Sequence, residues 1–252
     1  METTLKSLLI LCPLVFLGGF VDAIGGGGGL VTLPAYMLAG LPAHLAIATN
    51  KLSSTGGTLV TAIRFIKERL VSFPLAAPCV ICAFFGSFFG ARLSLLVDER
   101  HLKLILLPAL AVAAFFVLNK NMFGKEYPKE AAFSKKTVLI ACAASFLVGG
   151  YDGFYGPGTG TFLIIALNVF AHLDLKSANA QTKIINLTTN FTSLIVFIAN
   201  GQIVWKLGLA AMACGIAGNY IGSFLALRKG SKITRPVILA VLALLCIKMA
   251  LL

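Results

Sequence analysis

The amino-acid sequence is duplicated internally, and this duplication limits the folds open to the chain more than any other feature. At an offset of 130 residues Asp22 coincides with Asp152, and after a two-residue slip Lys51 coincides with Lys183. Each half therefore holds the same parts in the same order. We predict three regions: a first repeat over 1–118, a cytoplasmic linker over 119–136 and a second repeat over 137–252.

Composition places both halves in a membrane. The chain is 58% apolar and only 12% charged, whereas soluble domains carry about 25% charged residues. The net charge of +12 does not indicate a nucleic-acid partner, because the basic residues cluster in short loops between apolar segments, as they do in membrane proteins. The sequence therefore predicts an all-α, polytopic membrane protein.

Each half should contain about five helical segments. In the first half these segments are 5–24, 28–40, 45–66, 72–96 and 101–118; in the second half they are 137–153, 158–171, 178–200, 204–227 and 234–252. The second segment of each half is shorter than the roughly 20 residues that span a bilayer. It either crosses together with the first segment or returns with it as a re-entrant hairpin.

Both alternatives leave each half with an odd number of crossings, so we expect the halves to be inverted repeats. With the N-terminus outside, most loop lysines and arginines lie on the inner side. The positive-inside rule therefore predicts that the N- and C-termini are periplasmic.

Glycine-rich breaks interrupt each half at the same position. The first break follows Asp22 and contains Gly25, Gly26, Gly27, Gly28 and Gly29; the second follows Asp152 and contains Gly156, Gly158, Thr159 and Gly160. Broken helices at the interface of inverted repeats form the binding sites of secondary transporters. New helix N-termini expose N–H groups that favour an anion. The alternative is that the glycines only permit close helix packing, an interpretation we prefer for Gly86/Gly90 and Gly218/Gly222.

Polar side chains form a stripe along the third segment of each half. Lys51 lies in the first stripe and Lys183 in the second, and polar groups at membrane depth usually face a cavity or the bundle interior. The candidate anion ligands from these segments are Asn50, Lys51, Gln181, Lys183, Asn186 and Asn190. Each lysine could instead extend to the membrane surface or pair with an acid.

Asp22 and Asp152 are the only acids deep in apolar sequence. A charge there is costly, so each carboxyl needs a role. Three roles are open: pairing with Lys51 or Lys183, capping a broken helix, or carrying a proton. We therefore treat both aspartates as candidates for proton coupling.

Two stretches resemble a known family. GGFVDAIGGGGGLVTLPAYMLAGLPAHLAIATNKL, and GGYDGFYGPGTGTFLI followed by ANAQTKIIN, are similar to the TauE/SafE sulfite exporters, also called the TSUP permeases. The resemblance covers nearly the whole chain. It implies a carrier of sulfite, sulfonates or similar sulfur-containing anions in the bacterial inner membrane, with the glycine motifs and the two lysines as the candidate site.

The leading functional hypothesis is a secondary carrier that transports a small sulfur-containing anion by alternating access. An anion channel with the same central pore is the alternative. An enzyme is a distant third, because the three histidines lie at segment ends and no nucleophile–base pair is evident. We expect no cofactor and no metal; the expected partners are the anion and the lipid bilayer. No residue pattern indicates an oligomeric state.

Overall fold

The computed structural model describes residues 5–97, Tyr127 and residues 133–250, and it contains helices and no strand within them. In chain order the helices are α1 Leu5–Gly25, α2 Gly29–Leu38, α3 Ala43–Lys67, α4 Phe73–Ser94, α5 Lys135–Phe154, α6 Thr159–Val169, α7 Leu175–Ala199, α8 Trp205–Lys229 and α9 Ser231–Ala250. The all-α prediction is confirmed. The predicted helix 101–118 and most of the linker 119–136 lie outside the described residues.

The first glycine break turns the chain back on itself. Helix α1 ends at Gly25 and α2 begins at Gly29. The Ser7 hydroxyl donates a hydrogen bond to the Ala39 carbonyl oxygen at 3.2 Å, which ties the end of α2 to the start of α1. The two helices therefore form a hairpin, and α2 returns to the end from which α1 came.

The second break builds a matching hairpin from α5 and α6. The Tyr127 ring, ahead of α5, lies 5.1 Å from the His172 ring, which follows α6. Near the tip, the Tyr151 and Phe162 rings pack edge to face at 5.5 Å. In both halves the short segment thus forms an antiparallel hairpin with the helix before it, as both arrangements that the sequence leaves open require.

Each hairpin packs against a long helix of the other half, and glycines of that helix form the contact. A Cβ on Gly86 or Gly90 of α4 would lie 2.2 Å or less from a carbonyl oxygen of α5. Gly218 and Gly222 of α8 meet α1 in the same way. The packing interpretation of these four glycines is thus confirmed. Contacts advance in the same direction on both partners, so α4 runs parallel to α5 and α8 runs parallel to α1.

The surface is apolar and the interior contains many polar groups. Large apolar side chains such as Leu96, Leu139 and Leu9 are more than 60% exposed, whereas Thr61, Ser87 and others are fully buried. This distribution suits lipid rather than water as the surrounding solvent. Among the described residues, α1, α4, α5, α7 and α8 are long and apolar enough to cross a membrane.

Candidate functional site

The two glycine breaks touch each other at the centre of the fold. A Cβ on Gly26 would lie 2.2 Å from the carbonyl carbon of Gly160, and a Cβ on Gly29 would lie 3.2 Å from the Cα of Pro157. Gly26 has φ +76° and Gly156 has φ +101°, a conformation that costs other residues free energy. Glycine is thus required here both by the backbone turn and by the contact between the tips.

The second half also donates hydrogen bonds to the main-chain carbonyl groups at the end of α1. The Thr161 hydroxyl donates to the Gly25 carbonyl at 2.7 Å, and the Asn179 amide donates to the carbonyls of Ala23 and Ile24. These carbonyls have no partner within their own helix. The helix end is therefore stable at this depth only while the two halves are docked.

Replacing Asn179 by alanine should destabilise this docking. The substitution removes two hydrogen bonds, each contributing about 0.5–1.5 kcal/mol, and we expect the free energy of unfolding to fall by roughly 1–3 kcal/mol. Thermal unfolding in detergent measures the effect. Asn200→Ala is the matched control, because Asn200 makes one local bond to Val196; an equal loss in both variants would contradict the docking role.

Two ion pairs connect the halves crosswise. Lys51 Nζ lies 2.8 Å from Asp152 Oδ2 and also donates to the Asn190 side-chain oxygen at 3.2 Å. Lys183 Nζ lies 3.0 Å from Asp22 Oδ2 and donates to the Asp22 main-chain carbonyl. Each aspartate pairs with the lysine of the other half. Of the three roles predicted for the acids, lysine pairing is the one observed.

A small polar cavity lies beside the docked tips, with a volume of about 40 Å³. On this measure one water needs about 10–15 Å³, so the space suits a solute of a few heavy atoms. The lining residues come from both halves: Val15, Gly18, Gly19, Asp22, Gly26, Gly28, Gly29, Thr32, Asn50, Lys51, Ser53, Ser54, Thr58, Asp152, Gly156, Thr159, Gly160, Asn186, Asn190, Gly215 and Asn219.

Twelve of the seventeen predicted site residues line this cavity: Asp22, Gly26, Gly28, Gly29, Asn50, Lys51, Asp152, Gly156, Thr159, Gly160, Asn186 and Asn190. The other five do not line it. Gly25, Gly27 and Gly158 shape the breaks, and Gln181 donates to the Ser72 carbonyl. Lys183 is completely buried and donates its hydrogen bonds to Asp22.

The breaks also place two helix N-termini at the cavity. Helix α2 begins at Gly29 and α6 begins at Thr159, and both residues line the space. The first N–H groups of a helix have no partner within it, and the helix dipole favours an anion at this end. The N–H groups of Leu30, Val31 and Thr159 already donate to the carbonyl oxygens of Gly27, Gly28 and Gly156, so what the geometry places beside the ammonium group of Lys51 is the positive ends of two helix dipoles.

Five polar residues of the lining were not among the predicted site residues: Thr32, Ser53, Ser54, Thr58 and Asn219. Thr32 Oγ1 is buried with no hydrogen-bond partner. Asn219 accepts from the Thr61 hydroxyl at 3.0 Å. A lone amide in the apolar helix α8 was the available signal, since polar groups at membrane depth usually face a cavity.

Within the described ranges, no group of three or more metal-binding side chains comes together. The cavity instead offers one ammonium group, two carboxylates, hydroxyls and amides. Such a set can bind a small hydrophilic anion through several hydrogen bonds.

Comparison with known proteins identifies the family. The sequence model of the family described as "Sulfite exporter TauE/SafE" matches residues 11–249 of the chain. The probable membrane transporter protein YfcA of Escherichia coli is 35% identical over 255 residues, covering 98% of this chain and 93% of the relative. A probable membrane transporter protein of Haemophilus influenzae is 32% identical over 250 residues, covering 99% and 96%. No solved structure matches the chain significantly.

Proposed function

Because the chain belongs to the sulfite exporter TauE/SafE family of membrane transporters, we propose that it carries a small sulfur-containing anion, such as sulfite or a sulfonate, through the central cavity. The observation that carries this proposal is the position of Lys51. Its ammonium group is buried, lines the cavity and adjoins two helix N-termini. Its relatives are described as probable membrane transporters, which supports transport rather than catalysis as the role of this chain.

The other lining groups supply hydrogen bonds to the same solute. The amides of Asn50 and Asn186 and the hydroxyls of Thr32 and Ser54 face one small space. An oxyanion needs several donors to replace its hydration shell. We therefore assign the anion-binding role to these groups together with Lys51 and the backbone at Gly29.

Alternating access by inverted repeats is the mechanism we propose. Two features support it: both hairpins return to their own starting ends, and α1 packs parallel to α8 as α5 packs parallel to α4. A short turn at 68–72 joins α3 to α4, and together with these packings it supports opposite directions for the two halves. Such repeats can exchange conformations around a fixed central site.

Transport is tested by reconstituting the chain in proteoliposomes and measuring uptake of radiolabelled sulfite and methanesulfonate. A carrier shows saturable uptake that accelerates when unlabelled solute is present on the opposite side. The anion-channel alternative predicts ionic currents far above carrier turnover and no such counterflow. Absence of both flux and current for either anion would refute the proposed function.

We further propose that the protein lies in the bacterial inner membrane with both termini in the periplasm. The turn between α3 and α4 carries Arg69 and the turn between α7 and α8 carries Gln202, and these turns should lie on opposite sides. On intact spheroplasts, a membrane-impermeant thiol reagent should label Gln202→Cys and leave Glu68→Cys unlabelled unless the membrane is opened. The unmodified chain gives the background, and the reverse labelling pattern would invert the proposed topology.

A further inference from the structure

The two ion pairs are equivalent by sequence but differ in their surroundings. Lys51 and Asp152 both line the cavity, with side chains 3% and 4% exposed. Of the second pair only Asp22 lines the cavity, while Lys183 is completely buried. A solute in the cavity can therefore reach the ammonium of Lys51 but not that of Lys183.

The hydrogen bonds point to the same difference. Lys183 donates to both the carboxylate and the main-chain carbonyl of Asp22. It therefore binds the backbone in the last turn of α1 as well as the Asp22 side chain. Lys51 binds side chains alone, Asp152 and Asn190. Opening the Lys51 pair requires side-chain rotation, whereas opening the Lys183 pair also releases the end of a helix.

The charges at the breaks sum to zero: two lysines and two aspartates. An anion that enters this set adds an uncompensated negative charge, which is costly at low dielectric. Proton uptake by one carboxylate restores neutrality. The carboxylate that loses its partner when the anion contacts Lys51 is that of Asp152.

We infer, as an extension that rests on the proposed function, that the two pairs have different roles: the anion displaces Asp152 from Lys51 and Asp152 takes up a proton, while Lys183 and Asp22 remain joined as a latch between the halves. In this step the contact between Lys51 Nζ and Asp152 Oδ2 breaks, and Nζ contacts an anion oxygen. A proton from water on the entry side binds the Asp152 carboxylate. It is released with the anion on the other side, so one proton accompanies each anion.

Among the described residues, Asp22 is the other carboxylate that lines the cavity, and it stays bonded to Lys183 through both its side chain and its main chain. The titratable groups on α5 and on the helices packed against it are Lys135, Lys136, Cys142 and Tyr151 of α5, Cys79, Cys82 and Arg92 of α4, and Lys176 and Lys183 of α7. Lys51 of α3 and Asp22 of α1 approach from the cavity. Arg92 is exposed and stacks on Phe88, and Lys176 is exposed at the start of α7. Among the described residues, Asp152 makes its ion pair with Lys51 alone.

The variant Asp152→Asn separates this inference from simple structural pairing. It cannot accept the proton, and it leaves Lys51 without its counter-charge. In proteoliposomes, sulfite uptake by the wild-type protein should accelerate with an inward proton gradient. The Asp152→Asn protein should lose that acceleration and respond instead to membrane potential. Because the protonation of sulfite itself is the same in both experiments, the difference reports on the side chain.

Asp22→Asn is the matched comparison, since it neutralises the other carboxylate. Uptake by this variant should keep its dependence on the proton gradient, whatever its rate. If Asp152→Asn keeps the wild-type gradient dependence, or if Asp22→Asn loses it, the assignment of roles is wrong although transport stands. If the wild-type protein takes up no sulfite, the proposed function fails for this solute, and the inference fails with it.

Thermal unfolding gives a second readout that does not need transport. In Asp152→Asn, sulfite should occupy the space left beside Lys51 and act as its counter-charge, since a ligand of the folded state raises stability. We expect sulfite to raise the unfolding temperature of this variant by several degrees, and at least twice as much as that of the wild type. Asp22→Asn should gain no more than the wild type; equal gains in both variants would contradict unequal roles.

Discussion

Lys51→Ala should lower sulfite uptake per folded molecule by roughly 10- to 100-fold, because a hydrogen bond to a charged group contributes about 1.5–3 kcal/mol. Lys51 supplies the one ammonium group that lines the described cavity. Without it, the helix N-termini and the amides must bind the anion alone. Initial rates of labelled sulfite uptake in proteoliposomes, divided by the amount of monodisperse protein, measure the effect.

The same substitution also leaves the buried carboxylate of Asp152 without its partner. Removing one member of a buried pair costs roughly 3–5 kcal/mol, so the yield of folded protein should fall as well. Normalising to folded protein separates the two effects. Lys206→Ala is the control, because Lys206 is an exposed lysine at the start of α8. Wild-type uptake by folded Lys51→Ala protein would remove Lys51 from the site.

Gly26→Ala should prevent the two halves from docking. Its Cβ would lie 2.2 Å from the carbonyl carbon of Gly160, and φ +76° costs an L-residue a further 1–2 kcal/mol or so. Overpacking against rigid backbone adds roughly 1–3 kcal/mol, and the total approaches the net stability of a small protein. We expect at least a tenfold loss of monodisperse protein in size-exclusion chromatography.

Gly40→Ala separates the contact from the backbone strain. Gly40 also has a left-handed conformation, with φ +95°, but a Cβ there would meet no atom within 4 Å. This variant should therefore lose stability only through the unfavourable backbone conformation, and it should remain largely folded. If Gly26→Ala is as well folded as Gly40→Ala, the tips do not pack as described.

Helix positions followed from local sequence. Apolar runs of membrane length and the polar stripes around Lys51 and Lys183 place the helices within about three residues of their observed ends, because both patterns depend on neighbouring residues. The glycine breaks were equally visible, since five consecutive glycines cannot continue a helix. Internal duplication then indicated that the two breaks occupy equivalent positions.

Partners across the interface could not be predicted in the same way. Asp152 contacts Lys51, and Lys183 contacts Asp22, because the hairpin tips pass each other at the centre; no local pattern encodes that crossing. Asn219 was missed for a related reason. It is the one side-chain amide of α8, and its role depends on α8 lying beside α1 and α3.

A single anomalous-scattering measurement tests the central claim that the docked breaks form an anion site. Crystals grown with selenite, a heavier analogue of sulfite, locate the anion by its selenium signal. We predict one peak at hydrogen-bonding distance from Lys51 Nζ, between the starts of α2 and α6. A peak on the lipid-facing surface, or tips that lie apart with the selenium bound elsewhere, would contradict the account.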